Sequence, residues 1–362
     1  MNNTVRPGHA AFRRTFPAFI AATVIIFTTV SVFLFVHQST SSPKEPAEDR
    51  PRTAPISTHP SSGFGFDLGP SYIAASIRYP NGSFDDIVFA NVSDTYKQFF
   101  EATSFGPERC DGDWPKQRHL SSGLPLQNPG RHPAVDILAN MFGKTKNSLQ
   151  TLTGLRIYEA LVSSPKLPGL CNEDIEAAMQ TVGIRAIHNS RVLKQPHEAS
   201  AAYAAYGRGL CTNYTRPNPC AYEERWELPL RAVMVATYTD KALLVEYNFL
   251  QYAVSHIYQH NSLIDWQAGA NSLSEVSDPQ LHWTRIQATL LEKPVYWRRV
   301  HPKVDFVILA GSHACNETFV AVVKDTFARF QDEAPELLME FGDNTGARGA
   351  AELAFRAQYQ HQ

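Results

Sequence analysis

The sequence predicts a mixed, layered α/β fold behind an apolar N-terminal segment. Short apolar segments rich in β-branched and aromatic residues alternate with helix-patterned ones from Gly63 to the C-terminus. Gly183 and Gly311 fall where a helix and a strand should stop. Over 362 residues, 43% are hydrophobic and 19% charged, a globular composition that excludes a fibrous or mostly disordered chain. The length suits one large domain or two moderate ones. A formal net charge of −2 argues against nucleic acid as the main partner, because phosphate neutralisation needs a basic surface.

The N-terminus predicts the compartment. Residues 16–36 read FPAFIAATVIIFTTVSVFLFV, 21 residues without a charge, long enough to cross a hydrocarbon core as a helix. Arg6, Arg13 and Arg14 precede the run and Lys44 is the next basic residue after it. The positive-inside rule then assigns residues 1–15 to a cytoplasmic tail and the rest to the far side, as a single-pass type II protein. The run exceeds a signal-peptide apolar core and no A-x-A-like site follows, so a retained anchor is expected over a cleaved leader. Residues 37–62 contain 14 Pro, Ser or Thr among 26 and one large aliphatic residue, Ile56. Such a stretch cannot bury enough apolar surface to fold and reads as a stalk. The folded part spans 63–362.

Within it, GFGFDLG opens a strand and IAASIRY a second. Asn81-Gly82 marks a hairpin turn before IVFANV. From Pro133 to Leu152, Val135, Leu138, Met141 and Phe142 recur with helical spacing. Then follow a strand at 158–162, a helix from Asn172 to Gly183, a strand at 184–188 and an Ala-rich helix near 198–206. Residues 231–238 and 242–247 read as strands joined by a tight turn. Residues 304–310 read as a buried strand ending in Gly311, and 319–330 as a helix. No internal repeat is apparent.

Two features suit a lumenal or extracellular domain. N-x-[ST] sequons occur at Asn81, Asn91, Asn213 and Asn316, where glycan can be added only beyond the membrane. Cys211 and Cys220 bracket a polar loop that an oxidising compartment would let them close. The pairing of Cys110, Cys171 and Cys315 cannot be deduced from sequence.

Four ordered segments resemble one superfamily. Gly65-Phe66-Asp67-Leu68-Gly69-Pro70-Ser71-Tyr72 is similar to the first phosphate loop of the sugar kinase, actin and seventy-kilodalton heat-shock chaperone ATPases. Residues 160–165 with 183–207, ending HEASAAYAAYG, resemble the chaperone segment ending N-E-P-T-A-A-A-x-A-Y-G. Val304–Phe319 resembles the adenosine motif, and Thr345–Ala354 the closing connecting helix. The resemblance implies a two-lobed, ribonuclease H-like actin/chaperone-type ATPase domain with a shortened second lobe. Lobe I would hold about 63–207 plus a C-terminal helix at about 345–360, and lobe II about 208–344. It also implies ATP and Mg²⁺ as cofactors. Asp67 would stand on the Mg²⁺ side through water, with Gly69, Ser71 and Tyr72 turning around the phosphates. Glu198 would order catalytic water, and Gly311 and Ser312 would face the nucleoside.

The departures from that pattern matter as much. The family's second phosphate loop, D-x-G-G-G-T, is matched here only by Thr237-Tyr238-Thr239-Asp240. No glycine remains to admit phosphate, and Thr237 stands where the Asp belongs, leaving Asp240 as the nearest carboxylate. Pro70 replaces a threonine and removes a backbone donor. Ala310 replaces one glycine of the adenosine pair. The expectation is a pseudo-ATPase: a fold able to take nucleotide but short of the groups for hydrolysis, serving as a binding or scaffold domain for a protein partner the sequence does not name. Without the resemblance, Asp67 is a turn former, Gly69 a positive-φ position and Glu198 an exposed acid favoured by a helix dipole.

The topology also fits a type II secretory-pathway glycosyltransferase. Asp111-Gly112-Asp113 resembles the D-x-D that holds a divalent metal against a nucleotide-sugar diphosphate. His256 and His260 have helical i, i+4 spacing but no third ligand in view, and Tyr203 and Tyr206 read as core. No G-x-S-x-G elbow or C-x-x-C pair is present.

Overall fold

In a computed structural model, residues 61–89, 92–105, 133–187, 196–255, 262–297 and 303–359 are described. The apolar run 16–36, residues 37–60 of the stalk, Asn91, Cys110, the Asp111-Gly112-Asp113 triplet and the His256/His260 pair lie outside them. Among the described residues no helix is long and apolar enough to cross a membrane.

Two five-stranded mixed sheets organise the chain. β1 (Gly63–Leu68) turns back into β2 (Ile73–Arg78), and β2 into β3 (Phe84–Phe89), all antiparallel. The second hairpin closes through Asn81-Gly82, where Gly82 has φ +93° and Asn81 Oδ1 accepts from the Ser83 amide. After helices α1 (Asp94–Ser104) and α2 (Pro133–Thr153), β4 (Glu159–Ser163) joins β1 in parallel. Helix α3 (Asn172–Thr181) stops at Gly183, φ +69°, and leads to the two-residue β5 (Arg185–Ala186). Helix α4 (Glu198–Ala205) follows. The sheet order is β3-β2-β1-β4-β5.

A short α5 (Pro217–Tyr222) separates this half from β6 (Arg231–Tyr238), β7 (Leu243–Leu250) and β8 (Leu263–Asp265). Then come α6 (Pro279–Trp297), β9 (Phe306–Ala310), α7 (Glu317–Phe330), β10 (Glu336–Leu338) and α8 (Thr345–Ala357). The second sheet runs β10-β9-β6-β7-β8, with β6 and β7 antiparallel and β6 and β9 parallel. Strand for strand this repeats the first sheet: two hairpins, a helical crossover to a parallel fourth strand, another to a fifth, then a helix. The sequence shows no repeat because pairing order is preserved while side chains are not. The mixed α/β class expected from sequence is found, and the duplicated two-sheet arrangement agrees with the two-lobed fold the resemblance implies.

Sequence reading assigned no element to α1, α5, α6, β8 or β10. Two of them, β8 and β10, have three residues each, too few for a period to register. Helix α6 carries Pro294 in its interior.

Each sheet packs its own helices. Phe66, Ile73, Phe100, Leu138, Phe142 and Met179 close the first core, with Phe66 meeting Phe142 edge-on at 5.4 Å. Phe249, Ile286, Leu290, Phe319 and Phe327 close the second. Each fully buried side chain of this kind contributes roughly 2–3 kcal/mol of transfer free energy. The terminal helices exchange places: α4 packs on β6 and β7, while α8 packs on β1, β2 and β4. Small residues make this fit. A Cβ at Gly349 of α8 would lie 1.6 Å from the Ala201 carbonyl of α4, and one at Gly65 would lie 2.2 Å from the Ala351 amide. The Ala-rich stretches at 199–204 and 347–354 are therefore a helix–helix and helix–sheet seam.

Candidate functional site

The candidate residues gather at the C-terminal ends of the central parallel strands, where ligand crevices form in open α/β sheets. Asp67 lies next to last in β1, Ser163 ends β4, Thr237 lies near the end of β6, and Gly311 follows β9. The start of α4 brings Glu198, and the segment before α8 brings Asp343.

Asp67 is buried and receives a 2.9 Å hydrogen bond from the Tyr72 hydroxyl. Burial raises its carboxyl to about 6, opposed by the Ser163 and Tyr72 hydroxyls. Ser163 stands close without aligning: Asp67 Oδ1 and Ser163 Oγ are buried with no hydrogen-bonded partner. Tyr72 fills the space inside the first turn. The Gly69 amide donates to the Tyr72 carbonyl at 3.1 Å, and a Cβ at Gly69 would fall 2.1 Å from the Tyr72 ring. Gly69 is thus required by this close approach, not by a positive φ, which it lacks. Pro70 adds no donor, so two of the four turn positions from Gly69 to Tyr72 offer no amide to a phosphate.

Glu198 is buried, correcting the reading of it as an exposed helix-start acid. The Thr237 hydroxyl donates to it. Burial, then Asp67, then Glu246 raise its pKa well above its ordinary value, opposed by the Thr237 hydroxyl. Glu246 interrupts the wholly buried strand β7 and accepts from Asn248 Nδ2 at 2.7 Å. Burial pushes it to about 8. Asp343 rises to about 6, through burial and Asp240, against the pull of His313. Among the described residues no lysine or arginine pairs with Asp67, Glu198 or Glu246.

The second turn is closed on itself. Thr239 Oγ1 accepts the amides of Lys241 and Ala242 at 3.3 and 3.2 Å, and the Thr239 amide donates to the Ala242 carbonyl at 3.0 Å. Asp240 is held by His313 Nε2 at 2.6 Å. The Gly311 backbone presses on this turn: a Cβ there would meet the Tyr238 carbonyl at 2.4 Å, and the His313 amide donates to the same oxygen. Gly311, φ +89°, is needed on both counts. Ser312 is exposed and Ser71 nearly buried.

Sequence reasoning thus named Asp67, Glu198, Thr237, Thr239 and Asp240, which the fold brings to one end of the sheets. It missed Ser163, Glu246, His313 and Asp343. Glu246 had a legible signal, a lone carboxylate inside LLVEYNFL. The others have no local signature, because only the strand order makes them neighbours. Tyr203 is buried against Phe306 and Tyr206 stacks on Phe341, both as packing. Elsewhere, Asn81, Asn213 and Asn316 are exposed, Asn316 also capping α7 through Oδ1. Cys211 and Cys220 form a disulfide, Cys171 is disulfide-bonded, and Cys315 is free and exposed.

No family model matches the chain, and no curated protein matches it. Solved structures similar to it include a ROK hexokinase from Thermus thermophilus, at 12% identity and TM-score 0.41, covering 82% of this chain and 98% of that one. The ethanolamine utilization protein EutJ from Carboxydothermus hydrogenoformans aligns at 10% identity and TM-score 0.40, covering 82% of this chain and 90% of that one. Similarity at this level assigns no activity. The Asp111-Gly112-Asp113 triplet lies outside the described residues, and the glycosyltransferase alternative gains no support.

Proposed function

We propose that this chain is a membrane-anchored pseudo-ATPase, a two-lobed actin/chaperone-like domain used for binding or scaffolding and not for nucleotide turnover. The observation that carries the reading is the second turn, whose Thr239, Lys241 and Ala242 amides bond within the turn. A triphosphate needs such donors free and aimed outward. The remaining groups agree. In the first turn Pro70 has no amide, the Gly69 amide is spent on the Tyr72 carbonyl, and Tyr72 occupies the interior. Thr237 stands in place of a carboxylate, and its hydroxyl is committed to Glu198. Glu198 is buried with the Thr237 hydroxyl donating to it, so one of its oxygens is already taken before any water could reach it. The residues present therefore do not fit Mg²⁺–ATP, although Asp67 keeps the position such a metal would face.

The anchoring part of the reading rests on the 21-residue apolar run with arginines before it, supported by the Cys211–Cys220 disulfide. A domain beyond the cytoplasmic face also meets little ATP. Phosphate release from Mg²⁺–ATP tests the reading. The full chain is expected to match a protein-free blank, with Glu198→Ala changing nothing. Turnover that Glu198→Ala abolishes would overturn it.

A further inference from the structure

Helix α5 and the π-helical turn Glu223–Glu227 expose Tyr222 and Trp226, four residues apart on one side, with Leu230 just beyond. Trp226 is 69% exposed and Tyr222 60%, unusual for side chains that normally bury most of their area. Their support is rigid. The Cys211–Cys220 disulfide pins α5, the Glu223 carboxylate accepts from the Thr212 amide and hydroxyl, and Gln251 Nε2 donates to the Arg225 carbonyl at 2.7 Å. An aromatic pair that adds nothing to the core is thus held outward by three separate ties.

The chain enters the domain at the same place. Ser61 Oγ donates to Gln358 at 3.1 Å, and Gly63 lies against the Phe355 backbone. The disulfide loop docks on these same last turns of α8: Tyr214 packs on Phe355 and Tyr359, and Arg356 donates to the Cys211 carbonyl at 2.8 Å. Residues 37–60, 24 in all, connect this end to the apolar run and can reach at most about 80 Å. We propose that Tyr222, Trp226 and Leu230 form a bilayer-docking surface, seated in the headgroup region of the membrane that holds the chain. This deepens the anchoring reading and rests on it. Amphipathic aromatic rings favour that interface. From Arg216 to Arg231 three arginines balance three glutamates, so the surface suits zwitterionic lipid and gains nothing from anionic lipid.

The test uses the full chain in phosphatidylcholine vesicles, with tryptophan emission quenched by spin-labelled phosphatidylcholine. The wild type is expected to show a lipid-quenched component that Trp226→Phe removes, and replacing a fifth of the lipid with phosphatidylserine should leave it unchanged. Absence of that component in the wild type overturns the proposal. So does hydrogen-exchange protection of 217–230 that appears only at high protein-to-lipid ratio, which marks contact between copies. Alkaline carbonate extraction reads the anchor separately. A chain that resists extraction while Trp226 stays unquenched keeps the anchor and loses the surface. A chain that carbonate strips, but whose Trp226 is quenched by added vesicles, loses the anchor and keeps the surface.

Discussion

Replacing Glu246 by Gln should stabilise the domain near neutral pH and do little in acid. The carboxyl is 1% exposed and burial lifts it from 4.5 to about 8. At pH 7 it is therefore protonated when folded and ionised when unfolded, so unfolding releases a proton. Stability then falls as pH rises from about 4.5 to about 8. With each pKa unit about 1.4 kcal/mol, the burden at pH 7 is about 3 kcal/mol, and at pH 5 under about 1 kcal/mol. Glutamine matches the protonated acid in shape and keeps an acceptor for Asn248 Nδ2. Urea unfolding of wild type and Glu246→Gln at pH 5 and pH 7 measures the difference. A gap of about 3 kcal/mol in favour of Gln at pH 7, closing at pH 5, is expected. A gap equal at both values, or a less stable Gln variant at pH 7, would refute the reasoning. The raised Asp67 acts in the same direction, its burden growing from about pH 4 to pH 6, so the wild type itself should be more stable at pH 5 than at pH 8.

Gly349→Ala should cost about 1–3 kcal/mol or more, because the new methyl meets the Ala201 carbonyl, and a urea midpoint unchanged from wild type would contradict the α4–α8 seam. Cys220→Ser opens a short loop, sequence separation 9, and should lower stability by about 2–3 kcal/mol under non-reducing conditions and by nothing in reductant. Expressed through a eukaryotic secretory pathway, the chain should lose mass on glycosidase treatment, with Asn81→Gln and Asn213→Gln each removing one increment; no shift in the wild type would contradict the assigned side of the membrane.

Much of the fold was legible because strong local signals coincide with elements. Asn81-Gly82 made a hairpin, Gly183 ended a helix, and Arg231–Tyr238 with Ala242–Tyr247 read as two apolar strands about a turn, the second of which the fold carries on to Leu250. The duplication was not legible, since it resides in strand order. The site was half legible. Asp67 and Glu198 stood out through ordered motifs, yet the burial of Glu198 depends on Thr237 and Glu246, 39 and 48 positions away in the chain. Closure of the second turn was prefigured by its missing glycines. That Thr239 would cap the Lys241 and Ala242 amides follows from a hydroxyl able to bond its own backbone two and three residues on.

Calorimetric titration of the full chain in detergent with Mg²⁺–ATP and Mg²⁺–ADP, beside Asp67→Ala, bears most directly on the claim that the residues at these two turns do not fit Mg²⁺–ATP. No heat of binding up to millimolar nucleotide is expected from either protein. Micromolar binding by the wild type that disappears in Asp67→Ala would contradict it.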